Sequence, residues 1–458
     1  MRINSQSSEQ TLITPKVAFD KKYLIALVFP LIVEQILSVM VGMADMIMVS
    51  GAGETAVSGV SLVNTIANLL IYVFSALASG GAVVAAQALG AKKKDMAEKV
   101  SNQLILVCLI SGVAIAAFSL AMNKFILNLI YGNVEQAVMD SAIIYFYITA
   151  FSFPFLAVYF GSTALFRSMG NTKLSMYVSA AMNILNIIGN AVFVFGFHMG
   201  IAGVGYATLL SRALACLVVL LVLRNQKYEL HIDQWLRFGF SWDVIKKILK
   251  IGIPSGVDNA MFQIGKLFTQ SLISSFGTAS IAANATASTI ELLATIPASA
   301  MGLALTTVVG QCVGAQDFDG VKIYAKRLMK WAYIMLWIEN LFIILLTPQI
   351  AGWYHLSAEG DKIARLLIYY HSITCMIMWP AAWTLPAILR ASGDVKFVMW
   401  SSMASMWICR IALAYLIGGF LRFGVFGVWI AMTIDWFARC ILNIVRLKSG
   451  RWMRKAVV

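Results

Sequence analysis

Charge is scarce in this sequence: 12% of its 458 residues are Asp, Glu, Lys or Arg. A soluble domain carries about 25%, so most of the chain is not built for water. Ligand-type residues are scarce too. The four histidines show no HExxH spacing, and the six cysteines (Cys108, Cys216, Cys312, Cys375, Cys409, Cys440) include no CxxC pair. A zinc site or a disulfide framework is thereby disfavoured. No GxSxG, paired-histidine or glycine-rich phosphate motif marks a membrane-embedded enzyme. The polar stretch Met1–Asp20 lacks an apolar core followed by a small-residue cleavage site, and it predicts no cleavable signal peptide.

What the sequence has is apolar length. Hydrophobic residues make up 60% of it, in runs of the roughly twenty residues that cross a hydrocarbon core as a helix. Spans are expected near 23–49, 57–88, 100–122, 140–165, 173–197, 201–223, 246–275, 281–311, 323–347, 363–389, 396–420 and 424–446. The fold class is therefore all-α and membrane-integral, with twelve transmembrane helices. The net charge of +14 would suit nucleic acid, but its placement reads as topology. With the N-terminus inside, 27 of the 35 Lys and Arg fall in inner segments (from Arg2 to Lys455, Arg237 among them), 4 in outer loops and 4 within spans. Cytoplasmic loops retain basic residues in this way. Both termini are expected in the cytoplasm of a cell (inner or plasma) membrane protein whose partner is the bilayer and not nucleic acid.

The chain repeats itself at an offset of 224 residues (311 − 87). Pro30 answers Pro254, and Glu34-Gln35 answers Asp258-Asn259. Gln87-Ala-Leu-Gly90-Ala91 answers Gln311-Cys-Val-Gly314-Ala315, the glycines reading as helix terminators. Leu165-Phe-Arg167-Ser-Met-Gly170 is echoed by Ile388-Leu-Arg390-Ala-Ser-Gly393, and Gly200-Ile-Ala-Gly203 by Gly424-Val-Phe-Gly427. Six spans per half insert the same way up, so an axis along the membrane normal relates the halves, with a substrate site expected where they meet. The segments are an N-terminal piece (1–22), a first lobe (23–223), an interlobe loop (224–245), a second lobe (246–446) and a basic tail (447–458).

Charges inside spans cost roughly 2.5–3.5 kcal/mol each, so they must face a cavity or a partner. They are Glu34, Asp45, Asp258, Glu291, Glu339 and Asp435, with Arg212, Lys266, Arg410 and Arg439. Glu34 and Asp45 lie eleven residues apart, which puts both on one face about 16 Å apart along the axis. Asn183, Asn186 and Asn190 form a stripe on the fifth helix. Asn259, Gln263, Lys266 and Gln270 form one on the seventh, and Asn284, Ser288, Glu291 and Thr295 one on the eighth. Ser61, Asn64, Asn68 and Ser75 share an arc on the second, where hydrogen bonds between helices explain them as well as function does. Glu339 and Asp435 read as structural partners of bases such as Arg410 or Arg439.

The residues resemble the multidrug and toxin extrusion (MATE) transporters over roughly 21–446. The resemblance rests on Phe29-Pro30, the Gly42-Met-Ala-Asp45-Met-Ile-Met-Val-Ser50 end of the first helix, and Gln87-Ala-Leu-Gly90-Ala91. Leu165-Phe-Arg167-Ser-Met-Gly170-Asn171, Asn186-Ile-Ile-Gly-Asn190 with Phe195-Gly196, and Gly252-Ile-Pro254 complete it. It implies a V-shaped pair of six-helix lobes that exports cationic or amphiphilic drugs by alternating access against H⁺ or Na⁺, with no other cofactor and no enzymatic activity. The family's ion-coupling positions map onto Asp45, Asn186 and Asn190, a possible Na⁺ site. The substrate cavity is expected to take Glu34, Asn183, Asp258, Asn259, Gln263 and Glu291. Two departures stand out. One branch carries Asp where Asn190 stands, and another carries acids where Gln263 and Met378–Trp379 stand. A lipid-linked sugar flippase of the same superfamily is the alternative. It needs a cationic cavity, and the polar stripes hold more acids and amides than bases, with Lys266 discordant.

Overall fold

The computed structural model describes residues 16–50, 53–132, 134–232 and 239–458, apart from the side chains of Ser50 and Glu54. The basic residues Arg2 and Arg237 lie outside the described residues, as does most of the N-terminal piece and part of the interlobe loop.

Among the described residues, twelve helical rods run in chain order. The first lobe has α1 (Lys21–Ser50), α2 (Glu54–Gly90), α3 (Lys94–Tyr131), α4 (Gln136–Ala150 continuing as Phe153–Ser168), α5 (Thr172–Gly196) and α6 (Gly200–Leu223). The second has α7 (Trp242–Ser274), α8 (Thr278–Ala294 continuing as Ile296–Gly314), α9 (Phe318–Trp353), α10 (Ala358–Ala391), α11 (Val395–Phe420) and α12 (Gly424–Lys448). Ten rods are long and apolar enough to cross a bilayer on their own, and α4 makes an eleventh as a pair of legs bent by 49°. The twelfth, α7, carries Asp258, Asn259, Gln263, Lys266 and Gln270 on one helix, and its apolar content is correspondingly low. Large side chains lie open on the outer faces, among them Ile47, Leu129, Leu345 and Phe420 at 71–80% exposure. Surfaces of that kind are stable against lipid, not water.

The breaks follow from proline. Pro154 opens the second leg of α4, and Pro297 that of α8, just after Thr295. Each removes a backbone donor and clashes with the preceding turn, so the helix restarts at a new angle. Pro380 begins a π-helical turn in α10, and α5 ends in another directly after Asn190.

The duplication is visible in the backbone itself. Left-handed residues occur in pairs about 224 apart: Gly53 with Gly277, Lys92 with Gln316, Gly170 with Gly393, His198 with Arg422, and Gly200 with Gly424. One expectation is corrected here. The left-handed residues after α2 and α8 are Lys92 and Gln316, not the glycines of the two repeated motifs. Gly90 and Gly314 have another task. Gly90 lies so close to the carbonyl of Gln311 that a Cβ would overlap it, and Gly314 lies likewise on the carbonyl of Gln87. Glycine is the residue that lets two backbones approach in this way.

This crossing is the seam between the lobes. The Gln87 amide donates to the Ala391 carbonyl at 2.8 Å, and the Gln311 amide donates to the Ser168 carbonyl at 2.8 Å. Thr307 adds a bond to the Arg167 carbonyl at 2.9 Å. The cores interlock at the same end. Leu24, Leu27, Val28 and Leu31 of α1 pack into the second-lobe core, and Val244, Ile248 and Ile251 of α7 pack into the first. The chain ends cross over as well. The Val17 amide donates to Asp317 at 3.1 Å and that of Phe19 to the Tyr324 hydroxyl at 2.8 Å, while the Val457 amide donates to Gln87 at 2.9 Å. Both described chain ends therefore lie at the seam end of the bundle, and the basic tail is docked, with Trp452 1% exposed.

A side chain at Gly90 should force the seam apart. With spin labels at Lys94 and Lys322, Gly90→Val is expected to move the distance distribution to longer values. An unchanged distribution would show that the seam does not hold the lobes together.

Candidate functional site

Two groups of buried charge have to be told apart. The first is structural. Arg167, at the end of α4, donates to Glu34 at 3.1 Å, and Ser175 of α5 donates to the other carboxylate oxygen at 3.0 Å. The second lobe repeats the pair, with Arg390 donating to Asp258 at 3.3 Å. The arginines in the repeated sequence motif thus hold the repeated acids of α1 and α7. Neither pair lies in the cavity that holds Asp45. Breaking such a pair leaves a buried charge unanswered, at about 3–5 kcal/mol. Arg167→Ala is therefore expected to lower thermal stability more than the Arg167→Ala/Glu34→Ala double variant, as a double-mutant cycle by thermal denaturation would show. Simple additivity would argue against the pairing.

The second group opens onto a cavity within the first lobe. Asp45 sits in the far half of α1 from the seam, half-buried. The Asn190 amide donates to its Oδ1 at 2.9 Å. With the Asn186 amide turned so that its nitrogen faces the acid, it donates to the same oxygen at 2.6 Å and to Oδ2 at 3.3 Å. Thr208 of α6 is bonded to Asn186 at 3.4 Å. The cavity measures 170 Å³ and is lined by Asp45, Asn64, Tyr145, Asn183, Asn186 and Arg212 among others. Arg212 donates to Ser152 at 2.7 Å and forms no ion pair with Asp45 among the described residues. The carbonyl oxygen of Asn190, on a fully buried side chain, has no hydrogen-bond partner. A carboxylate and the free Asn190 carbonyl are oxygen ligands of the kind a hard cation prefers, and a carboxylate beside an orphaned acceptor equally suits a proton.

The structure brings Asp45, Asn183, Asn186 and Asn190 together and sets the other expected cavity residues apart. Glu34 and Asp258 are engaged by arginines. Gln263 reaches Tyr72 of α2 across the lobe boundary, and Asn259 lines neither lobe's cavity. Glu291 lines a separate cavity in the second lobe, with Lys266, Gln270, Asn284 and Arg410. Asp435 does hold bases, Arg439 at 2.9 Å and Arg410 at 3.8 Å. Glu339 departs from the expectation of pairing: among the described residues its Oε2 is buried without a partner, and no ion pair to a base is formed. Tyr145, Thr208 and Arg212 were not singled out for this site, although the cost of Arg212 inside a span was itself a pointer.

Two lobes related by duplication, with a polar cavity in an otherwise apolar bundle, define a secondary transporter of the parallel-repeat kind. The particular family follows from comparison. The MatE family model matches residues 30–192 and again 254–416, the same 224-residue offset, and the chain belongs to that family, the MATE transporters. The chain is 28% identical over 445 residues to an uncharacterized transporter, YisQ, of Bacillus subtilis, covering 96% of both. It is 26% identical to the probable multidrug resistance protein NorM of Thermotoga maritima, covering 96% of this chain and 94% of that one. Among solved structures, an outward-facing multidrug resistance MATE transporter superposes with a TM-score of 0.86 at 21% identity, covering 94% of this chain and 96% of that one.

Proposed function

We propose that this protein is a cation-coupled antiporter, driven by H⁺ or Na⁺, that exports amphiphilic or cationic compounds by alternating access. It acts as a single chain in the cell membrane with both termini in the cytoplasm. The observation that carries the reading is Asp45 held by two asparagine amides in a cavity of the first lobe, next to an unpartnered buried oxygen. Placing the basic end in the cytoplasm puts the interlobe seam there too. The cavities, each lined by one lobe alone, then face the outer side. A cation entering from outside neutralises Asp45 and relaxes its hold on α5, and the lobes rock about the seam to face inward.

The driving force is adequate. One charge moving inward yields about 2.3 kcal/mol per 100 mV, enough for roughly a fortyfold gradient of a neutral solute. The test is efflux of a fluorescent lipophilic cation from proteoliposomes, with ΔpH and ΔNa⁺ imposed separately. Export driven by either gradient supports the reading and names the ion. Folded protein that moves the dye under neither sinks it.

A further inference from the structure

The 224-residue offset carries the first-lobe cavity onto a second one, of 100 Å³, in the other lobe. Asn64 falls on Ser288, Val204 on Val428 and Thr208 on Met432, and all of these line their respective cavities. The acid does not survive the duplication: Asp45 falls on Thr269. Two bases are gained against one base lost, Arg212, which falls on Trp436, and one acid gained, Glu291, which falls on Ala67. Lys266 stands where the first lobe has Gly42, and Arg410 of α11 lines the second cavity as Asn186 of α5 lines the first.

The bases outnumber the acids that answer them. Lys266, Arg410 and Arg439 gather around the ring of Phe262, at 5.4, 5.3 and 5.9 Å from its centroid. Against these three stand Asp435, which Arg410 and Arg439 share, and Glu291. Asp258 is committed to Arg390. Among the described residues Lys266 makes no ion pair, and its ammonium rests on an aromatic face. Glu291 lines the same cavity and answers Lys266 without contact. Three bases against two acids leave one positive charge in excess, and a charge inside a span is costly and faces either a partner or a ligand.

The hydrogen-bonding capacity has the same sense. Trp429 donates to Asn284 at 3.0 Å, and the Asn284 amide donates to Gln270 at 3.2 Å. That chain occupies the Gln270 carbonyl and leaves its NH₂ group to donate. Lys266, Arg410 and Gln270 thus offer donors to the same cavity, the chemistry that recognises a carboxylate.

We propose that the second-lobe cavity binds an anionic group, a carboxylate, of the transported compound, so that zwitterionic amphiphiles are favoured over plain cations of the same skeleton. This rests on the reading of the protein as an exporter and specifies its substrate class. The acids Glu34 and Asp258, committed to arginines, are not available to select cations against it.

A matched pair of dyes tests this: a rhodamine with a free benzoate and its methyl ester, which differ only in the carboxylate. Binding is read by fluorescence anisotropy on the full chain in nanodiscs of neutral lipid, so that no anionic headgroup competes. The free acid is expected to bind about tenfold tighter than the ester, as one charge-assisted contact provides. That ratio should fall to about one in Lys266→Gln and persist in Lys266→Arg. Equal binding of the two dyes, a preference that survives Lys266→Gln, or no binding of either would overturn the proposal. Efflux of both dyes from proteoliposomes separates the two readings. A carboxylate preference in binding without gradient-driven efflux leaves the site standing and sinks export. Efflux of both dyes without a preference does the reverse.

Discussion

Asp45→Asn should abolish gradient-driven export while leaving the chain folded. Asparagine is isosteric with aspartate and still presents an oxygen to the Asn190 amide, now 2.9 Å from Oδ1, so α1 keeps its contact with α5. What disappears is the charge. A hydrogen bond to a charged group contributes about 1.5–3 kcal/mol, so cation affinity should fall by about tenfold to a hundredfold. More decisively, a neutral side chain has no charge state to change, and the two orientations of the lobes lose their link to the ion. Dye binding by the purified variant should persist, because the second-lobe cavity is untouched. The check is paired: efflux under the driving gradient, and dye anisotropy without one. Wild-type efflux from the Asn variant would mean that the coupling acid lies elsewhere, with Glu291 the next to examine.

The second large effect concerns folding. Asp435 is fully buried on α12 and is the one carboxylate between Arg410 and Arg439. Arg439 also bonds Ser402 and stacks on Trp383 at 4.6 Å from the ring centroid. Asp435→Ala would take from two buried cations the carboxylate they share in the interior of the second lobe. Removing one partner of a buried pair costs about 3–5 kcal/mol, which is much of a typical domain's total stability. The variant is expected to be recovered poorly, or to lose its monodisperse gel-filtration peak well below the wild-type temperature. Arg410→Gln placed on top of it should recover part of the loss. An Asp435→Ala protein as heat-resistant as the wild type would remove the structural role assigned to this cluster.

Much of the fold was legible because a bilayer leaves few options. Apolar runs set the rods and the repeated motifs set the two halves, while the breaks at Pro154 and Pro297 emerged with the structure. The limits of that legibility are physical as well. Helical periodicity shows which residues share a face, and it correctly gave Glu34 and Asp45 a common side: Ser175 and Asn190 of α5 meet them in turn. It does not show who stands opposite. Arg167 is 133 positions from Glu34, and nothing local marks the two as partners, although their joint duplication as Arg390 and Asp258 was a usable sign. The seam was hidden for the same reason. A glycine near a helix end reads as a terminator, and only the crossing of Gly90 with Gln311 reveals close approach as its purpose. Lys266 was visible as an oddity, yet its meaning needed the superposed cavities, since one base among amides says little until Gly42 is seen in the matching place.

The proposed coupling rests on Asp45, through which an ion would move the lobes. The most direct test records both fluxes in the same vesicles: a dye reporting the driving ion inside and a second reporting substrate, after substrate is added on the side from which it is exported. Coupled exchange requires substrate movement to draw the ion the opposite way in the wild type, with both signals lost together in Asp45→Asn. Substrate movement without ion counterflow, or counterflow that persists in the variant, would contradict it.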